Sequence, residues 1–240
     1  MKKNPKQEGA KLWSCRPQVG LCPNKCNQCF YNRDLGKAYY TDINEPHIPD
    51  PKEVGMDIVR MNSGHDSNIE KELVLETAKQ YPHVFFNTSL PNLDFPGPVV
   101  LTINGDETCH MAPITPDCFV QKELENLMFV RIRASANNFY HMEKVFLEWI
   151  GFGIPVILTF MAYYDEEEVP DPKWYEYKKR HINSYWCPTR ELKVKLYTQY
   201  QEAANNEYGP MGMGLVKMCG TLDSNWCRDC GLCEKYYWRS

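Results

Sequence analysis

The sequence lacks any apolar run approaching the ~20 residues of a membrane-spanning helix. Its first eight residues, Met1-Lys2-Lys3-Asn4-Pro5-Lys6-Gln7-Glu8, lack the apolar stretch of a secretory signal. No membrane partner is expected, and a reducing cytoplasmic location is. The chain also lacks a positive excess: 27 basic residues stand against 31 acidic ones, a formal charge of -4. That balance excludes the basic field with which a protein holds long duplex nucleic acid. The six histidines form no HxxxH or HExxH pairing, so a histidine-based hydrolase is not supported. No internal repeat is evident. A hydrophobic content of 43% with 13% aromatics excludes wholesale disorder.

What is abundant is cysteine. Eleven in 240 residues, several at short paired spacings, read as metal ligands more than as a disulfide framework. Cys22, Cys26 and Cys29 stand in the spacing CxxxCxxC. Three thiolates on one short loop can hold three irons of a cubane and leave the fourth open for chemistry. Zinc sites prefer four protein ligands in CxxC pairs, which makes zinc the second reading. Near the C-terminus Cys227, Cys230 and Cys233 follow CxxCxxC, and Cys219 or Cys187 would complete four ligands. That run resembles the cluster-binding segments of ferredoxins, with a structural zinc site as the rival. Buried structural thiols are the default for Cys15, Cys109 and Cys118.

Apolar runs of strand type recur six times, at 11–15, 57–61, 84–88, 99–103, 129–133 and 155–160. Their continuous apolar character suits a parallel sheet covered by helices. Ser67-Asn68-Ile69-Glu70 reads as a capping box opening a helix with an apolar stripe at Ile69, Leu73, Val74, Ala78 and Tyr81. Asn138 is expected to cap a helix through Trp149 that stops at Gly151 and Gly153, and a further helix is expected from Thr189 to about Asn205. The loop between the third and fourth strands is proline-rich and too short for a helix. An acidic, proline-marked stretch at 165–172 separates residues 8–165 from an extension over 166–240.

With its cysteine loop following the first strand, the chain resembles the radical S-adenosylmethionine superfamily. The resemblance implies an incomplete parallel (β/α)6 TIM-like barrel over residues 8–165, an α/β fold with a small cysteine-rich C-terminal extension. It implies a 4Fe-4S cluster on Cys22, Cys26 and Cys29 whose open iron chelates S-adenosylmethionine. One electron would cleave the sulfonium to a 5'-deoxyadenosyl radical that takes hydrogen from a small-molecule, peptide or nucleotide substrate. An electron donor such as flavodoxin or ferredoxin would be the redox partner. Cys219, Cys227, Cys230 and Cys233 would hold an auxiliary cluster or zinc. The chain departs from the family at two points. Gln28 stands where an aromatic residue usually precedes the third cysteine, and the Gly-Gly-Glu segment after the second strand is missing.

In place of that segment Asn62, Ser63 and Asp66 offer acceptors for an ammonium group, and Gly64 permits close backbone approach. Asn104-Gly105-Asp106-Glu107 is a rival placement after the fourth strand. Parallel barrels gather function at the carboxyl ends of their strands. Asn87 and Ser89 after the third strand, Asn104 after the fourth, and Arg133 and Ser135 after the fifth are therefore candidate ligand-binding residues. The alternative is a non-enzymatic zinc- or iron-sulfur-binding structural or interaction protein.

Overall fold

The structure, a computed structural model, describes residues 3–24, 26, 29, 31, 42–104, 114–179 and 184–240. The expected residues Gly105-Asp106-Glu107, Cys109 and Gln28 lie outside the described residues.

Six strands form where the apolar runs stand: β1 (Leu12–Cys15), β2 (Ile58–Met61), β3 (Val84–Thr88), β4 (Val99–Ile103), β5 (Leu127–Ala134) and β6 (Val156–Phe160). Two more, β7 (Tyr175–Lys178) and β8 (Tyr185–Pro188), pair as an antiparallel ribbon, and β9 (Val216–Met218) follows. The helices in chain order are α1 (Pro51–Val54), α2 (Lys71–Ala78), α3 (Gln121–Leu124), α4 (Phe139–Gly151), α5 (Arg190–Leu215), α6 (Cys227–Cys230) and α7 (Leu232–Tyr237).

Strands β1 to β6 lie in sequence order in one sheet, every pair parallel, and β9 joins β6 as a seventh parallel strand. The result is the partial (β/α) barrel of the sequence reading, widened by one strand at Val216–Met218. Between β3 and β4 there is no helix, as the proline-rich loop requires.

Side chains alternate across each strand, so the sheet has two faces. One face presents Val59, Met61, Phe86, Leu101, Val130, Ile132, Val156 and Leu158 to the main core, with Phe146 and Trp149 of α4 and Leu192, Leu196 and Tyr200 of α5. Tyr200 packs edge-on against Phe139 and Phe146, ring centroids 4.9 and 4.8 Å away. Full burial of each such side chain contributes roughly 1.5–3 kcal/mol. The Trp149 indole N–H meets the Ile114 carbonyl at 3.0 Å, so this ring enters the core with its polar edge satisfied.

The other face presents Leu12, Ile58, Phe85, Val100, Phe129 and Ile157, and the C-terminal tail covers them with Leu232, Cys233, Tyr236 and Tyr237. Tyr236 stands 5.5 Å from Phe129 between ring centroids. His83, immediately before β3, stacks edge-on with Trp238 at 4.7 Å. The tail thus crosses the amino ends of the strands and floors the inner face there, leaving the carboxyl ends for the site.

Two helix boundaries depart from the sequence reading. Ser67 and Glu70 form no capping box. Helix α2 starts at Lys71, after Glu70 takes a left-handed φ of 50° without a side-chain cap. Ser67 Oγ instead accepts a hydrogen bond from Asn62 Nδ2 at 3.2 Å. Asn138 precedes α4 but does not cap it, because its Oδ1 accepts from the Ser135 backbone N–H at 2.8 Å. Thr189 does cap α5, through the Leu192 N–H, and that helix runs to Leu215 with a break at Gly209, φ 68°.

Candidate functional site at the carboxyl ends of the strands

Strand β2 ends at Met61, and the chain turns through Asn62 in the left-handed region, φ 58°, where asparagine is tolerated better than most residues. The Asn62 N–H donates to the Cys15 carbonyl at 2.7 Å, which ties the turn to the end of β1. Four residues on, Asp66 is 3% exposed, and its carboxylate organises the rim. Oδ1 accepts from the Asn68 N–H and from Thr88 Oγ1, both at 2.9 Å. Oδ2 accepts from the Ser89 N–H at 2.6 Å, Ser89 Oγ at 2.9 Å and Asn24 Nδ2 at 3.1 Å. Five donors around one buried carboxylate replace the water it leaves behind. Gln18, fully buried, donates Nε2 to the Asp66 and Ile69 carbonyls at 3.3 and 2.7 Å and so fixes the same loop from β1's side.

Asn87 on β3 faces this loop. Its Nδ2 donates to the Met61 carbonyl at 2.9 Å, and its own carbonyl accepts from the Ser67 N–H at 3.0 Å. Both side-chain amides are thus oriented by their nitrogens. The oxygens, Asn62 Oδ1 and Asn87 Oδ1, are buried and meet no donor among the described residues. An orphaned buried acceptor costs about 1–3 kcal/mol, so a ligand that brings donors is complementary to this place.

The cysteine loop reaches the same end of the sheet. Cys26 Sγ lies 3.8 Å from Ser89 Oγ. Burial pushes the Cys22 thiol up to about 12, with the Asn24 backbone bond opposing and Asp66 adding to the rise. Burial raises Cys26 too, while Ser89 and Arg133 pull against it. Arg133 Nη1 donates to Asn104 Oδ1 at 3.2 Å, which places both of these residues at the carboxyl ends of β4 and β5. Ser63 Oγ accepts from Arg60 Nη2 at 2.8 Å. Gly64 sits under Tyr31, where a Cβ would meet the ring at 2.8 Å. Ser135 is committed to its own turn, its hydroxyl on Asn137 Oδ1 at 3.2 Å and its N–H on Asn138.

The structure therefore brings Asn62, Ser63, Gly64, Asp66, Asn87, Ser89, Asn104 and Arg133 to one rim and sets Ser135 into a helix entry. Sequence reasoning missed Gln18, Asn24 and Asn68. Asn24 sits inside the cysteine motif, and that position is its only signal.

The metal expectations are corrected. Among the described residues no group of three or more His, Cys, Asp or Glu is placed to hold a metal ion. The 4Fe-4S cluster on Cys22, Cys26 and Cys29, with the S-adenosylmethionine bound to it, does not fit these residues as they stand. Among the described residues Cys26 instead has its sulfur beside the Ser89 hydroxyl, 3.8 Å away. The auxiliary cluster or zinc on Cys219, Cys227, Cys230 and Cys233 does not fit either. Cys227 and Cys233 pack against the apolar inner face. The resemblance to the radical S-adenosylmethionine superfamily is corrected with them, because it rested on the cluster loop and no metal-holding group is found among the described residues. The non-enzymatic metal-binding alternative loses its metal by the same finding.

No helix among the described residues is long and apolar enough to cross a membrane. No protein-family model matches the chain, and no curated protein matches it. Among solved structures it is similar to a spore photoproduct lyase mutant with bound AdoMet and dinucleoside spore photoproduct. The identity is 11%, the TM-score 0.56, and the match covers 86% of this chain and 75% of that one. At that identity the likeness is one of fold, and it confirms the partial (β/α) barrel.

Proposed function

We propose that the chain is an enzyme of the partial-barrel class whose rim binds a nucleoside-type ligand through its hydrogen-bond donors. The observation that carries this reading is the pair of buried, donor-less oxygens, Asn62 Oδ1 and Asn87 Oδ1, on amides already oriented by their nitrogens. Ribose hydroxyls and exocyclic amines are donors of the right kind for such oxygens. The similar lyase is described with AdoMet and a dinucleoside bound. Both are nucleoside derivatives, which supports the ligand class here.

In this reading Asp66 holds Asn24, Thr88 and Ser89 in register and so shapes the rim, while Asn62 and Asn87 accept from the ligand. Gly64, with no Cβ, lets the Tyr31 ring lie directly on this turn. Reductive cleavage of S-adenosylmethionine needs an electron delivered at the rim. Without a fitting metal group, no such step is assigned to these residues.

The reading is tested by equilibrium dialysis with adenosine and thymidine. Adenosine or thymidine retained by the wild-type protein, with at least tenfold weaker retention in Asn87→Leu at unchanged melting temperature, supports it. No retention of either nucleoside by the wild type overturns it.

A further inference from the structure

The inner face carries charge that the rim reading leaves unused. Arg60 follows Ile58 and Arg131 follows Phe129 by two residues, so alternation puts both arginines on the inner face, one step nearer the rim than the apolar floor under Tyr236. Arg60 Nη2 donates to Ser14 Oγ at 3.2 Å and to Ser63 Oγ at 2.8 Å, which ties it to both the floor strand and the rim loop. Its Nε is buried and has no acceptor. Arg131 lies in register with Thr102 on β4 and Ile157 on β6, and its guanidinium carbon stands 5.9 Å from the centroid of the Phe129 ring. Among the described residues neither arginine forms an ion pair with a carboxylate.

Arg60 from β2 and Arg131 from β5 thus both project from the inner face, each in the row above the apolar floor. Thr159, one step beyond Ile157 on the same face, has a buried hydroxyl with no partner. Like charges gathered at a partly desolvated face repel each other unless an anion lies between them. Guanidinium forks and hydroxyls together match the oxygens of a phosphate.

We propose that Arg60 and Arg131 form an oxyanion site on the inner face that receives the phosphate of a nucleotide substrate. The proposal rests on the nucleoside reading of the rim and narrows it from nucleoside to nucleotide.

Calorimetry at low salt with adenosine, adenosine 5'-monophosphate and inorganic phosphate as separate probes tests it. The monophosphate is expected to bind roughly tenfold or more tightly than adenosine. That gain disappears in Arg60→Gln and Arg131→Gln and returns in part in Arg131→Lys, which also guards against a folding defect. Equal affinity of adenosine and its monophosphate in the wild type overturns the proposal and leaves the rim reading standing. A gain that survives in both glutamine variants also overturns it. Inorganic phosphate that binds the wild type and neither glutamine variant supports the oxyanion site even where adenosine does not bind, an outcome that sinks only the rim reading.

Discussion

Asn24 Nδ2 donates to Asp66 Oδ2 across 3.1 Å, and this bond joins the cysteine loop to the turn after β2 over 42 residues of chain. It is one of five bonds into the same carboxylate, so the cysteine loop, the β2 turn and the end of β3 are held by one anion.

Replacing Asp66 by alanine strands buried donors of Thr88, Ser89 and Asn24 at once. The expected loss is about 3 kcal/mol of stability, or roughly 6–12 °C in melting temperature for a chain of this size. Asp66→Asn, which keeps acceptor capacity on one oxygen, should lose about half as much. Thermal denaturation followed by circular dichroism measures both, and equal stability of Asp66→Ala and wild type would show that the network contributes nothing.

His47 gives a pH dependence. Burial, then the charge of Arg16, hold its imidazole down at about 4, below its ordinary 6.5. Between those values the unfolded chain binds the proton and the folded chain does not. The contribution is therefore whole above about pH 6.5, falls as the pH is lowered, and is gone below about 4. Urea midpoints at pH 7.0 and 5.0 should differ in that direction, and His47→Gln should narrow the difference. An unchanged difference in the variant would assign the pH effect to other groups.

Gly64→Ala forces a Cβ against Tyr31 Cδ2 at 2.8 Å. Tyr31 is fixed by its hydroxyl on the Gly20 carbonyl at 2.6 Å, so the ring yields only by moving the cysteine loop. The expected outcome is a loss of nucleoside retention of tenfold or so with a change in stability of about 1–2 kcal/mol. Wild-type retention in this variant would place the ligand away from the Gly64 turn.

Tyr236→Ala removes the ring that lies against Phe129 at the floor of the inner face. Tyr236 is partly buried, so the loss should fall near 2 kcal/mol, below the range for a fully buried aromatic. Urea denaturation measures it. No change in midpoint would mean that the tail is dispensable for the barrel.

The six strands from Leu12 to Phe160 were legible because each is a continuous apolar run between polar turns, the signature of a strand buried on both faces. Strand β9 was not legible. Val216-Lys217-Met218 is three residues long and follows a helix directly, and only its pairing with Val156–Leu158 makes it a strand. The start of α2 misled for a related reason: Ser67 has the right spacing to Glu70 for a capping box, but Asn62 and Asn87 claim its hydroxyl and its N–H. At the site, the rim residues followed from strand order, because the ends of parallel strands point one way. The partners of Asp66 did not, since they come from positions 24, 68, 88 and 89 and leave no local pattern. The cysteine spacing was the loudest signal in the chain and predicted metal. The described residues set those thiols into protein contacts instead.

The most direct measurement is a crystal structure of the protein soaked with 8-bromoadenosine, with the bromine located by its anomalous signal. The account predicts one bromine at the carboxyl ends of β2 and β3, with hydrogen bonds from the nucleoside to Asn62 Oδ1 and Asn87 Oδ1. Bromine bound elsewhere, with both oxygens still without a donor, would contradict it.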